Sequence, residues 1–331
     1  MIKRRSLLVA LGSAATAWPL GVFGQAIEKP RRVAVLISAG EKDPEGQSRI
    51  ESLRQGLRDL GWIEGRNIQL DVRFAGGKTE LFHEYTAAFI ANAPDLIVVN
   101  STAALGVVYE ATKTIPVVFM AAFDPVGLGY IKSLAHPGGN ITGFTFWDVG
   151  LMSKWLQLLK EAAPSIDHAT VIHNPSNTTF YPALMKSVER LPGLPNVALT
   201  LAPVRSIAEI ERVFDETARL PGGSVIVPSD PFNLDLRYDI AAAALHRHLP
   251  LISIYRPYAT AGAFMSYGPD INEIYRQSAT YVDRILKGAN PGDLPAQAPT
   301  KYEFVINTVI AGQLGLAIPS TLLARTDEVI E

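Results

Sequence analysis

From Arg31 onward, short apolar runs alternate with longer amphipathic segments. Ile50, Leu53 and Leu57 recur at helical spacing, and Gly61 ends that predicted helix. The runs rich in β-branched residues predict buried strands. The first half of the chain is thus predicted to contain strands at 31–37, 68–74, 95–99 and 116–120, and helices at 47–60, 79–91 and from about 103.

The same order of elements recurs in the second half. Residues 94–102 (PDLIVVNST) resemble 223–231 (GSVIVPSDP), and 115–119 (IPVVF) resemble 249–253 (LPLIS). Alternating strands and helices favour parallel sheets covered on both faces, connected by right-handed crossovers. We therefore expect an α/β fold of two doubly wound parallel-sheet lobes. The predicted strands are 169–173, 197–201, 224–227 and 251–254, and the predicted helices are 181–190, 207–220 and 234–246.

Two segments are predicted to pass between the lobes and form a multi-strand hinge. They are 140–146 (NITGFTF) and 262–268 (GAFMSYG). A helix at about 272–287 has no partner in the second copy, so we expect it to return to the first lobe. A strand at 300–306 favours a third crossover, although the lobe that takes the segment after Pro291 stays open. The expected boundaries are 30–143 plus about 267–290 for lobe one, and 144–266 plus about 300–331 for lobe two.

Residues 1–26 differ in composition from the rest. Three basic residues, Lys3, Arg4 and Arg5, precede an apolar run that ends near Phe23, and small residues follow. This layout is typical of a secretory signal cleaved near Gly24 to Ala26. A membrane anchor is the alternative, but glycine and proline interrupt a run that is short for a span. The two arginines leave the twin-arginine and general export routes both open.

Composition narrows the class of protein further. Of 331 residues, 48% are hydrophobic and 19% are charged, which is typical of a globular chain. The net charge of -2 gives no basic face for nucleic acid, and the absence of cysteine excludes disulfides, thiol nucleophiles and a cysteine-anchored lipoprotein. We expect a periplasmic monomer that touches the membrane only by docking to a permease.

Several short segments, in order along the chain, closely resemble one family. The family is that of ABC-transporter substrate-binding proteins of the tryptophan-importer type, and the resemblance runs from about Arg31 to the C-terminus. One departure is His136, where arginine is usual before Pro-Gly-Gly. The resemblance implies a type I periplasmic-binding fold, a partner permease and ATPase, and no catalysis. The segments are Gly61–Asn67 (GWIEGRN), Phe123–Gly127 (FDPVG), Pro137–Gly143 (PGGNITG), Tyr281–Gly288 (YVDRILKG), Pro299–Glu303 (PTKYE) and Leu323–Arg325 (LAR).

The sequence shows no enzymatic signature. Dinucleotide-binding, P-loop and nucleophile-elbow motifs do not occur. His246 and His248 are two apart on a predicted helix and so point to different faces, which makes them poor metal ligands. We expect no cofactor, no metal and no catalytic residue.

Ligands of open α/β sheets bind beyond the carboxyl ends of the strands, so the residues after each strand are candidates for the binding site. In lobe two, Asp230 could pair with a ligand ammonium, and in lobe one the segment Asn100–Thr102 could hold a carboxylate at a helix N-terminus. Both positions could instead be helix N-caps with no ligand role. The aromatic candidates could form a wall or belong to the core. The candidates are Ser38, Asn100, Ser101, Thr102, Phe123, Asp124, Asn174, Ser176, Asn177, Ser229, Asp230, Phe232, Tyr255 and Tyr258.

These observations predict a periplasmic solute-binding protein of an ABC importer. Its ligand would be a small molecule, an amino acid or an aromatic or carboxylate solute, captured between the lobes. A ligand-binding component of a sensor system and an enzyme on the same fold are the alternatives. A sugar-repressor-like regulator would carry a DNA-binding domain before the first strand, where this chain has the predicted signal.

Overall fold

Two α/β lobes, each built around its own sheet, make up the described part of the chain. The computed structural model describes residues 29–147, 150–175 and 196–331. The predicted signal at 1–26 and the predicted helix at 181–190 lie outside these ranges.

The first lobe contains a five-stranded parallel sheet of order β2-β1-β3-β4-β5. Strands β1, β3, β4 and β5 are almost wholly buried, because helices cover both faces of the sheet. Continuous apolar runs therefore form these strands instead of alternating patterns. The strands are β1 Arg31–Ile37, β2 Ile68–Phe74, β3 Leu96–Asn100, β4 Val117–Ala122 and β5 Ile141–Thr145.

The second lobe contains a seven-stranded sheet of order β12-β11-β10-β9-β8-β6-β7. Its first five strands along the chain repeat the spatial order of the first lobe, which matches the internal similarity seen in the sequence. β11 runs antiparallel to β10, so this sheet is mixed and not purely parallel as expected. The strands are β6 His168–His173, β7 Ala198–Pro203, β8 Gly223–Val227, β9 Leu251–Ser253, β10 Met265–Pro269, β11 Tyr302–Asn307 and β12 Glu328–Ile330.

The helices between the strands largely follow the apolar periodicity. The predicted helix at 234–246 is split in two at Leu236, and helices α4 and α8 were not predicted. The helices are α1 Pro44–Asp59, α2 Thr79–Ala91, α3 Thr102–Ala111, α4 Leu151–Ala162, α5 Ile207–Ala218, α6 Pro231–Asp235, α7 Arg237–His246, α8 Arg256–Thr260, α9 Ile271–Leu286, α10 Thr308–Gln313 and α11 Ser320–Leu323, with a 3-10 turn at Pro291–Asp293.

The chain crosses between the lobes three times. It leaves the first sheet after β5, returns after β10 into α9, and crosses again between the 3-10 turn and β11. Helix α9 packs closely on α1 of the first lobe: a Cβ on Gly56 would lie 2.4 Å from the Arg276 carbonyl oxygen. Part of the second half of the sequence therefore belongs structurally to the first lobe.

The segments that resemble the family hold these crossings together. The Trp62 indole N–H donates to the Asp283 carboxylate at 2.9 Å, which joins two of those segments across α1 and α9. The Thr142 hydroxyl donates to the Leu294 carbonyl at 2.6 Å and ties β5 to the third crossing. Within the described ranges, no helix is long and apolar enough to cross a membrane.

Candidate functional site

A cavity of about 450 Å³ lies between the lobes, at the carboxyl ends of the strands of both sheets. Its volume falls in the range of small-molecule pockets. Nine of the residues predicted from the sequence line it, and they come from both lobes. They are Ser38, Asn100, Ser101, Thr102, Asn174, Ser229, Asp230, Phe232 and Tyr255.

Three other predicted residues lie away from the cavity. Phe123 is 1% exposed and packs against Trp147 in the core, with ring centroids 5.5 Å apart. Tyr258 is also fully buried in the core. Asp124 is exposed and accepts a hydrogen bond from the Gly127 N–H at 2.9 Å, which stabilises a turn. Two further candidates, Ser176 and Asn177, lie outside the described residues.

The first lobe contributes the edge where its strand order reverses, between β1 and β3. The Asn100 side chain accepts from the Ser38 backbone N–H at 2.6 Å, and its amide donates to the Ser38 hydroxyl at 3.1 Å. In a doubly wound sheet the strands diverge at this point and leave a crevice for a ligand. The Ser38–Asn100 pair is therefore a rigid part of the cavity floor.

Helix α3 begins at the cavity. Ser101 caps it with φ at +72°, and its hydroxyl accepts from the Ala104 N–H at 3.3 Å. The Thr102 hydroxyl accepts from the Phe123 N–H at 2.8 Å. Both hydroxyls thus serve the backbone, so the capping role is real. The first N–H groups of the helix have no partner within it and give this side of the cavity a partial positive charge.

The second lobe contributes carboxylates. Asp230 is 3% exposed, caps α6 and accepts from the Phe232 N–H at 2.9 Å. Asp235, at the far end of the same short helix, also lines the cavity. Burial, with Asp43 and Asp230 adding repulsion, raises the pKa of Asp235, whereas Arg237 opposes the shift. A ligand cation in the cavity would relieve this crowding of negative charge.

Arg49, on α1, was not predicted. It lines the cavity and is 8% exposed, and its guanidinium lies over the Tyr255 ring of the other lobe, 5.4 Å from the centroid. It forms no ion pair or hydrogen bond with any residue in the described ranges. The sequence held one weak signal, an arginine directly before Ile50 on the buried side of an amphipathic helix.

Two tyrosine hydroxyls lie beside Arg49. The Tyr255 hydroxyl is 2.7 Å from the Ser229 hydroxyl, and Tyr275 of α9 lies near both Arg49 and Asn100. Burial raises the pKa of both tyrosines. Both hydroxyls therefore stay protonated at neutral pH and can donate to a ligand acceptor.

The rest of the cavity wall is largely apolar. The predicted Phe232 belongs to it, and the sequence-based prediction missed Phe82, Phe146, Leu234 and Ile271. These side chains stand within helices or at strand ends, where the apolar pattern alone does not separate core from cavity. The wall suits the hydrocarbon or aromatic part of a ligand.

A glycine pair completes the wall of the first lobe. Gly76 and Gly77 have φ of +55° and +72°, a conformation that favours glycine, and their N–H groups donate to the carbonyls of Ala39 and Ser38. The pair lets the loop after β2 fold against the loop after β1 beside the cavity. Among the described residues, no group of three or more His, Asp or Glu side chains could hold a metal ion.

The chain is similar to proteins that bind small molecules. It is 26% identical over 259 residues, covering 76% of this chain and 72% of the relative, to a tyrosine-binding protein of Clostridioides difficile strain R20291. A conserved domain protein of Vibrio cholerae is 29% identical, with a TM-score of 0.81 over 91% of this chain and 100% of that structure.

Two more solved structures share the fold. One is an ABC domain of Streptococcus pneumoniae in complex with L-Trp, with 22% identity and a TM-score of 0.81 over 91% of this chain and 100% of that one. The other is a ligand-free, open substrate binding protein with adhesive properties from Clostridium difficile, with 20% identity and a TM-score of 0.70 over 91% and 99%. They confirm the expected two-lobed fold.

The family prediction rests on the whole described chain. A family model described as ABC transporter substrate binding protein matches residues 33–330, a span that includes both lobes, all three crossings and the cavity between them. The chain belongs to the ABC transporter substrate binding protein family.

Proposed function

We propose that this substrate-binding protein captures an α-amino acid in the cavity between its lobes and delivers it to the permease of an ABC importer. The observation that carries the proposal is the division of charge across one cavity. Arg49 and the N-terminal end of α3 give the first-lobe side a positive character, whereas Asp230 and Asp235 make the second-lobe side negative. A zwitterion with a carboxylate and an ammonium group fits this division.

The apolar wall supports an amino acid with a substantial hydrocarbon or aromatic side chain. Phe82, Phe146 and Phe232 line the part of the cavity that remains beside the charged groups. The relatives agree with this class, since one is a tyrosine-binding protein and another structure holds L-Trp.

Capture would proceed by closure of the lobes. Because residues of both lobes line the cavity, a ligand that contacts both binds the closed arrangement better than an open one. The ligand therefore shifts the population toward the closed state, which would present a surface formed by both lobes to the permease. No step requires a bond to be made or broken, so the protein would act as a binding component and not as an enzyme.

Its place in the cell would be outside the cytoplasmic membrane. Residues 1–26 would be removed as an export signal, and the remaining chain would act as a monomer that meets a permease and its ATPase without binding nucleic acid. Analysis of the mature N-terminus by mass spectrometry would test the cleavage near Gly24 to Ala26.

Thermal unfolding in the presence of candidate ligands tests the proposed function. At 100 times its dissociation constant, a ligand raises the free energy of unfolding by about 2.7 kcal/mol. We expect this increase with one or more L-amino acids and not with neutral sugars. If no amino acid raises the unfolding temperature of the mature protein, the proposal is wrong.

Asp230→Asn is the informative variant, because asparagine preserves the N-cap of α6 while the negative charge is lost. A charge-assisted hydrogen bond contributes about 1.5–3 kcal/mol, so amino-acid affinity should fall roughly 10- to 100-fold. Asp215→Asn is the matched control, since Asp215 is an exposed residue of the same lobe that pairs with Arg247.

A further inference from the structure

We propose that Arg49 and the Tyr275 hydroxyl form the subsite that binds the ligand carboxylate, and that Tyr255 positions Arg49. The inference deepens the proposed function and rests on it, because it assigns the acidic group of the captured solute to particular atoms. It also restricts the ligand class: the solute must carry a carboxylate, and its neutral or decarboxylated analogues would bind weakly.

The state of Arg49 is the first observation. Its guanidinium is taken out of water, with the residue 8% exposed, yet within the described ranges no carboxylate pairs with it and no acceptor hydrogen-bonds to it. A buried charge without a counter-charge is costly, and only part of that cost is offset by the aromatic ring beneath it. A ligand carboxylate would supply the missing partner in a geometry that a guanidinium binds with two parallel hydrogen bonds.

Tyr275 is the second observation, and it comes from a different element. The residue is fully buried on α9 and lines the cavity, and its hydroxyl makes no hydrogen bond of ordinary geometry with any described residue. Arg49 is one of its close electrostatic neighbours. A buried hydroxyl that lacks a partner is rare in folded proteins, and an oxygen of the ligand would satisfy it.

Tyr255 acts through Arg49. The ring lies under the guanidinium at 5.4 Å, and the hydroxyl is held at 2.7 Å from Ser229. Arg49 belongs to the first lobe, whereas Tyr255 and Ser229 belong to the second. The stacked position of Arg49 therefore exists only when the lobes are together, which couples carboxylate binding to closure.

The N-terminus of α3 is the competing carboxylate site. The Ser101 and Thr102 hydroxyls both accept hydrogen bonds from backbone N–H groups. What remains there is a helix-end dipole of about half an elementary charge, exposed to the cavity, against the full charge of a buried guanidinium. Arg49 is the stronger partner for the carboxylate.

Isothermal titration calorimetry with two ligand pairs tests the assignment. L-tryptophan and L-tyrosine are compared with tryptamine and tyramine, which lack only the carboxylate. Arg49→Met should weaken binding of the amino acids roughly 10- to 100-fold and leave the amines unchanged. Arg58→Met is the matched control on an exposed part of the same helix and should bind like the wild type.

Further variants keep the test decisive. Arg49→Lys preserves the charge and should bind between the wild type and Arg49→Met, which guards against loss of the fold in the latter. Tyr275→Phe should weaken the amino acids about fivefold and not the amines. Tyr255→Leu should lower the preference for amino acid over amine, and Tyr255→Phe, which retains the ring, should restore most of it.

Two outcomes separate this inference from the proposed function. If the wild type binds no amino acid but binds an aromatic carboxylate without an ammonium, such as indole-3-propionate, and Arg49→Met abolishes that binding, the subsite stands and the amino-acid proposal falls. If Arg49→Met binds the amino acids within twofold of the wild type, or if the wild type binds no carboxylate of either kind, the subsite assignment is overturned.

Discussion

An ion pair joins the two lobes beside the cavity. Arg237 Nη1 of α7 lies 3.9 Å from Asp43 Oδ2, with side-chain exposures of 11% and 10%. The two residues are far apart in the sequence and meet only when the lobes are together. In an open arrangement each charge would be solvated separately. We therefore expect the pair to favour closure and so to strengthen ligand binding.

The size of the effect follows from the geometry. At 3.9 Å the direct attraction is about 4 kcal/mol at an effective dielectric constant of about 20. Desolvation of two largely buried groups cancels much of this, and we take about 1–2 kcal/mol as the net contribution to the closed state. If that contribution is lost, ligand affinity should fall roughly 5- to 30-fold.

Asp43→Asn is the perturbation of choice. Asp43 Oδ1 caps α1 by accepting from the Glu45 and Gly46 N–H groups, and asparagine can do the same without the charge. Calorimetric titration with the amino acid that binds best would measure the loss. Asp59→Asn, an exposed change on the same helix, is the control.

A double-mutant cycle with Arg237→Gln would separate the pair from other effects. The two losses should add to more than the loss in the double variant, because both single changes remove one interaction. Affinity of Asp43→Asn within twofold of the wild type, or an equal loss in Asp59→Asn, would refute the reasoning.

Three further predictions concern stability and its pH dependence. Gly56→Ala should destabilise the protein by about 1–2 kcal/mol in calorimetry, because the new Cβ would lie 2.4 Å from a carbonyl of α9. Gly312→Ala, in a helix with open space around it, should stabilise by about 0.5–1 kcal/mol, and equal effects would contradict the close packing. Gly143→Ala would place a Cβ 2.0 Å from the Phe119 carbonyl oxygen and should cost at least about 3 kcal/mol, measured by urea unfolding. Because the pKa of Asp235 is raised in the fold, the ligand-free folded state holds that proton more tightly than the unfolded chain, so stability is lost as the pH rises through the folded pKa. Asp235→Asn should therefore raise the unfolding temperature more at about pH 7.5 than at about pH 4, and an equal rise at both would contradict the assignment.

The sequence by itself determined the local elements and the family. The bounds of β1, β2 and α2 match the predicted 31–37, 68–74 and 79–91, because a strand buried on both faces or a helix with one apolar face leaves its period in neighbouring residues. Where the period is broken, as at Leu236 between α6 and α7, the prediction merged two helices.

The sequence also located the general position of the cavity. Parallel strands bring their carboxyl ends to one edge, so residues directly after the strands, such as Asn100 and Asp230, could be grouped without coordinates. The same rule could not separate a ring that faces the cavity from one that faces the core. Tyr255 lines the cavity whereas Tyr258, three residues later, is buried in the core.

Only the tertiary structure decided which side chains from helices meet at the site. Arg49 on α1, Tyr275 on α9 and Tyr255 after β9 come together because α9 returns to the first lobe and the two sheets face each other. Contacts between residues so distant in the chain depend on how whole lobes pack. Hydrophobic periodicity records only which face of each element is buried, and it carries no information on the partner across the gap.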